Sequence, residues 1–122
     1  MDPEPALRQL LAELMVANRH VPVLVEGKRD AKALRALGLT GTLVEIHHGQ
    51  PIIEFTRQIS RRYSAVILLT DWDQRGEQLF ERLRQYLTCD IDESFRQRLK
   101  ALAPQSLYQV EDLPGYLAGI GS

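Results

Sequence analysis

The sequence predicts an α/β fold with a small, mostly parallel central sheet between helix layers, on three observations. Short β-rich apolar runs alternate along the chain with stretches of helical period. One run, "AVILLT", is apolar at five consecutive positions, as expected of a strand covered on both faces. Strands that alternate with helices need crossover connections, and crossovers make parallel neighbours.

The elements follow in order. "EPALRQLLAELMVANRH" sets Leu7, Leu10, Leu11, Leu14 and Met15 at helical spacing, with Pro5 near the start, where a missing N–H does no harm. Its Leu and Met stripe suits packing on the sheet or on a second copy of the chain. "VPVLVE", Val21 to Glu26, reads as the first strand, with Pro22 at its beginning. Gly27 breaks it. "KRDAKALRAL" is then helical as far as Gly38, a residue suited to ending a helix. "TLVEI", Thr42 to Ile46, is the second strand, "HHGQP" a turn, and "IIEFTRQISRRY" an amphipathic helix. The third strand runs into a loop that holds Asp71, Asp73 and Arg75. After Gly76, "EQLFERLRQYL" is helical, and "ESFRQRLKALA" is a further helix stopped by Pro104. The tail "SLYQVEDLPGYLAGI" has room for a short strand and a last helical turn. No repeat, low-complexity stretch or long linker divides the chain, so residues 1–122 are expected to form one domain.

Composition narrows the function classes. With 122 residues, 44% apolar and 25% charged, the chain can bury one core but not two. No apolar run nears the roughly 20 residues of a membrane span, and the acidic "MDPEP" is unlike a signal peptide. The single cysteine, Cys89, excludes a disulfide framework or thiolate cluster, agrees with a reducing cytoplasm, and is expected to be a packing residue. A net charge of −1 gives no bulk attraction for nucleic acid, so such binding must rest on a local patch or a bound cation. Arginine outnumbers lysine, 12 to 3. That bias suits bidentate phosphate contacts, although genomic base composition produces it equally well.

The carboxylates have an address. Ligand sites in parallel sheets form beyond the carboxyl ends of the strands, where the strand order reverses. Glu26 ends the first strand, and Asp71 and Asp73 follow the third. Neighbouring strands lie ~4.8 Å apart, and residues two apart in extended chain point the same way. Both aspartates would then face the spot beside Glu26, and a hard divalent cation would relieve the crowding of charge. An Asp-x-Asp pair by itself more often caps the next helix, so the combination carries the case: apolar strand, Glu-Gly-Lys, helix, then apolar strand, Asp-x-Asp-x-x-Gly, helix.

That combination resembles the toprim domain, the catalytic module of bacterial-type primases, type IA and type II topoisomerases, overcoming-lysogenization-defect nucleases and a ribosomal-RNA maturation ribonuclease. "VLVEGKRDAKAL" (Val23 to Leu34) and "VILLTDWDQRGEQL" (Val66 to Leu79) carry the resemblance, which spans about residues 21–88. It is most similar to small free-standing prokaryotic toprim proteins and to the toprim half of the ribonuclease. The resemblance implies a Rossmann-like three-layer sandwich with a Mg²⁺ site, Mn²⁺ being an alternative ion. By that resemblance Glu26 is the general acid or base and stands close enough to share the metal, and Asp71 and Asp73 hold it. Gly27 and Gly76 match the motif glycines, Lys28 meets a phosphate, Asp30 buttresses the site, and Glu77 reaches the metal through water. The departure lies in the tail, where only "SLYQV" or "TCDI" could supply a fourth strand.

Smaller features accompany these. Lys28, Lys32 and Arg35 form a basic stripe on the helix after Glu26, either a phosphate track or a solvated face. Arg57, Arg61 and Arg62 form a second basic face, for which solvation is the ordinary explanation. Arg75 is expected to be near any metal-bound phosphate. His47 and His48 suit a solvated turn better than a zinc site, and Trp72 suits packing against the next helix better than stacking on a base. The implied activity is metal-dependent phosphodiester chemistry by a nuclease acting on RNA or DNA. Alternatives are a non-catalytic Mg²⁺-dependent nucleic-acid-binding module, or a primase-like nucleotidyl transferase subunit that needs a protein partner. A homodimer is also compatible.

Overall fold

The computed structural model describes residues 4–46 and 49–120, which leaves His47 and His48 outside the described residues. Helix α1 (Glu4–Asn18) precedes strand β1 (Val23–Val25), α2 (Lys28–Ala36), β2 (Leu43–Glu45), α3 (Ile52–Arg62) and β3 (Ala65–Leu68). Then come α4 (Gln74–Tyr86), β4 (Asp90–Asp92), α5 (Ser94–Leu102), a 3-10 turn (Val110–Asp112) and α6 (Leu113–Ile120). The strands stand in the order β2-β1-β3-β4, and every neighbouring pair is parallel. No described helix is long and apolar enough to cross a membrane.

Alternation along the strands covers the single sheet with apolar side chains on both faces. Val23, Val25, Ile67 and Leu69 face α1, α5 and the C-terminal segment, where Leu7, Leu10, Leu14 and Leu99 are fully buried. Leu24, Val66 and Leu68 face the other way, onto Phe55 and Ile59 of α3 and Phe80 and Leu83 of α4. Each fully buried aliphatic side chain contributes roughly 1.5–3 kcal/mol, so strands of three or four residues suffice because both faces are covered. The Leu stripe of α1 therefore packs on its own sheet. Buried Asn18 secures the end of α1 by donating from Nδ2 to the Val21 and Thr42 carbonyls, while its Oδ1 accepts the Gly41 N–H.

Several boundaries differ from expectation, each for a physical reason. The first strand is shorter than Val21–Glu26, because Pro22 and Glu26 fall outside the paired register. "TCDI" does supply the fourth strand, Asp90–Asp92, paired with β3. "SLYQV" forms no strand. It crosses the loop after β3 as a strap, since the Trp72 backbone N–H donates to the Tyr108 carbonyl at 3.0 Å and its indole Nε1 to the Leu107 carbonyl at 2.8 Å. Trp72 consequently packs in the α1–α5 core rather than against α4. Helix α4 begins at Gln74, so Arg75 and Gly76 occupy its first turn instead of a loop. Gly38 has φ 107° just past α2, the left-handed position that favours glycine at a helix end. The tail helix α6 runs to eight residues. Cys89 is half-buried beside the α3–α4 core.

Candidate metal centre at the carboxyl edge

Strand order reverses between β1 and β3, and beyond their carboxyl ends lies an open cleft of about 650 Å³. Glu26, Asp30, Asp71 and Glu111 line it with carboxylates, and Lys28, Arg29 and Arg75 line it with positive charge. Among the described residues none of these four carboxylates is ion-paired.

Backbone donors orient the acids. Glu26 Oε2 accepts the Asp71 N–H at 2.8 Å, which ties the end of β1 to the residue beyond β3. Asp71 Oδ1 accepts the Val110 N–H at 2.8 Å, so the strap fixes that carboxylate. Asp30, buried in the first turn of α2, reaches back to the Gly27 N–H at 3.1 Å. Burial pushes the Asp71 carboxyl up to about 8, with the Asp30 and Glu26 charges adding and the Val110 N–H opposing. Burial also pushes Asp30 up to about 6, against the Gly27 N–H and with help from the charges of Glu26 and Glu111. The cleft thus gathers more carboxyl groups than its own surroundings favour in the ionised form.

The remaining predicted residues divide into those at the cleft and those turned from it. Lys28, Gly27 and Arg75 stand at the cleft, and a Cβ on Gly27 would meet only open space. Asp73 is not brought to it: its Oδ1 accepts the Gly76 N–H at 2.7 Å and caps α4. Gly76 lets the chain close there, because a Cβ would overlap the Asp71 carbonyl. Glu77 faces Lys100 and Arg96, at 2.7 and 3.1 Å. Arg35 is turned to the Leu39 carbonyl.

Two contributors had no clear mark in the sequence. Arg96, only 2% exposed, donates from Nε to the Thr70 carbonyl and hydroxyl and from Nη2 to the Asp71 carbonyl, while its guanidinium lies 4.3 Å from the Phe80 ring centre. It clamps the backbone from which Asp71 projects. Its only signal was its place beside the apolar pair Phe95 and Leu99, on the helix face that turns inward. Glu111 had none, since only the path of the strap brings it to Asp30.

The donor set suits a hard cation. Among the described residues no three His, Cys, Asp or Glu side chains form a ready-made cluster. Mg²⁺ does not need one, because it takes one or two carboxylates and fills its remaining positions with water and phosphate oxygens. Asp71 and Glu26 are joined by a hydrogen bond, and a cation would balance the charge that burial and crowding oppose on Asp71.

The toprim domain model matches residues 21–103 of this sequence. The chain belongs to the toprim domain family. A UPF0292 protein of Thermococcus sibiricus is 37% identical over 112 residues, 89% of this chain and 86% of that protein. A UPF0292 protein of Methanosarcina barkeri is 32% identical over 116 residues, 92% of this chain and 80% of that one. The solved structure of a protein from Aquifex aeolicus superposes with a TM-score of 0.72 at 28% identity, covering 85% of this chain and 94% of that one. The toprim family places the chain among metal-binding domains that work on nucleic acids. The strap that seats Asp71 lies beyond the matched residues, after residue 103.

Proposed function

We propose that this toprim protein is a Mg²⁺-dependent nuclease that hydrolyses phosphodiesters of RNA or DNA in the cleft at the carboxyl edge. The observation that carries this reading is the crowding of Glu26, Asp71 and Asp30, none ion-paired among the described residues, in a cleft rimmed by Lys28 and Arg75. Asp71 and Glu26 would hold the cation, and Asp73 could join only by releasing the Gly76 N–H it now caps. Bound Mg²⁺ supplies charge neutralisation and polarisation of the phosphate toward attack. Glu26 takes a proton from the attacking water or returns one to the leaving oxygen, its carboxylate held in place by the Asp71 N–H. Lys28 and Arg75 balance the added negative charge from the rim.

The test is incubation of the pure protein with a pool of structured RNA, single-stranded DNA and duplex DNA in Mg²⁺, Mn²⁺ or EDTA, with Asp71→Asn alongside. Metal-dependent cleavage that Asp71→Asn abolishes is the expected result, and the consumed member of the pool names the substrate. Mg²⁺-dependent retention of one nucleic acid without cleavage would replace the nuclease with a binding module.

A further inference from the structure

We infer that the seam between α3 and α4 is a track for a single nucleic-acid strand running out of the cleft, gripped at its phosphates by Arg57, Arg61 and Arg82. The inference deepens the function proposed above, since the cleft would hold the reacting phosphodiester of the same strand.

Two hollows lie where α3 and α4 meet, and the first of them adjoins the cleft. The nearer shares Ile46 with the cleft and reaches Arg82. The farther, of about 340 Å³, lies between Arg57 and Arg61 on α3 and Tyr86 on α4. Arg75, at the rim of the cleft, and Arg82 are seven residues apart on α4 and so share one side of that helix. From Arg75 to Tyr86 the helix rises roughly 16 Å, the length of about five nucleotides at the ~3.4 Å rise of a stacked strand.

Arg8, Arg84, Arg96 and Arg98 are all ion-paired, with Glu4, Glu93, Glu77 and Glu13 respectively. Arg57, Arg61, Arg75 and Arg82 are exposed and make no ion pair or hydrogen bond among the described residues. Arginines without an ion pair among the described residues also lie elsewhere, Arg19, Arg29 and Arg62 included, but the seam gathers several beside hollows that no described carboxylate lines. In a chain of net charge −1, positive charge left unpaired along one groove is what a polyanion would complete. Tyr86 and Ile53, the latter 49% exposed, give the same hollow an apolar surface on which a base can rest. A seam between packed helices, with axes ~8–10 Å apart, has the width of one strand rather than a duplex.

The test is fluorescence anisotropy of labelled single-stranded RNA, single-stranded DNA and duplex DNA across a salt series. The proteins are wild type, Arg57→Ala/Arg61→Ala, and Arg98→Ala as an ion-paired arginine on the opposite side. The double variant is expected to bind a single strand roughly tenfold more weakly, with the slope of log K against log salt reduced in magnitude by about 1.4, about 0.7 per lost phosphate contact. Its melting temperature and Mg²⁺ affinity should match wild type, as should Arg98→Ala throughout. An unchanged slope in the double variant, an equal loss in Arg98→Ala, tighter binding of duplex, or no binding by wild type would each overturn the track. Groove-dependent binding without cleavage would instead sustain the track and defeat the nuclease.

Discussion

Asp71→Asn is expected to make the metal-free protein more stable at pH 8, while removing its response to Mg²⁺. The folded Asp71 carboxyl is pushed up to about 8, far above the ~3.9 of an unfolded aspartate. The folded state therefore keeps a proton that the unfolded chain releases. Its stabilising effect is complete below about pH 4 and is lost as pH rises through the folded value near 8. Asp30, pushed up to about 6, acts with the same sign over a narrower window. Glu77, which burial would raise, is held low on balance by Lys100 and Arg96, so it titrates below both. Discounted for the solvent that reaches the open cleft, the Asp71 contribution is on the order of 2 kcal/mol, about 8 °C in melting temperature for a domain this size. Asparagine can still accept the Val110 N–H but carries no charge to relieve. Thermal melts in EDTA at pH 5 and pH 8 should show wild type losing stability across that interval and the variant losing much less. Mg²⁺ should restore wild type most at pH 8. A metal-free wild type that is more stable at pH 8 than at pH 5 would contradict the charge crowding on which the metal assignment depends.

Arg96→Ala should destabilise the fold by roughly 3 kcal/mol, the cost of removing one partner from a buried charged network. The truncation strips donors from the Thr70 carbonyl and hydroxyl and the Asp71 carbonyl, removes one partner of Glu77, and opens space beside Phe80. Urea denaturation checks the loss, and calorimetry on the folded fraction should find weaker Mg²⁺ binding because Asp71 is no longer held in place. Glu77→Gln, at a half-exposed site, should cost less than a third as much. Equal losses in the two variants would show that Arg96 acts through its ion pair rather than through the backbone it clamps.

The sheet was legible because its signals are local. Five consecutive apolar positions at 65–69 need two covered faces, and the order of strands and helices leaves only parallel pairing. Glu26 and Asp71 were legible for the same reason, since each follows a strand end and the switch point puts those ends together. Asp73 shows the limit of the argument from extended spacing. Two carboxylates two residues apart share a direction only while the chain stays extended, and here the second caps the helix that begins at Gln74. The fourth strand could be placed in either of two stretches, because three-residue strands such as "DID" carry too little pattern to choose. "SLYQV" suits a strand as well as a strap, since nothing in it says that the backbone and indole N–H groups of Trp72 will take its carbonyls. Contacts between segments far apart in the chain decide such places, and Arg96 and Glu111 belong to them.

The most direct test of the proposed chemistry sets turnover against metal affinity in Glu26→Gln. If Glu26 moves the proton, the variant should lose Mg²⁺-dependent cleavage by a factor of about 10²–10⁴, the usual contribution of a positioned acid or base. Calorimetry should still find Mg²⁺ bound through Asp71, more weakly for the loss of one carboxylate, and cleavage should stay lost when Mg²⁺ is raised to saturate the variant. Cleavage at the wild-type rate with Glu26→Gln would remove the glutamate from the chemistry and contradict the proposed mechanism.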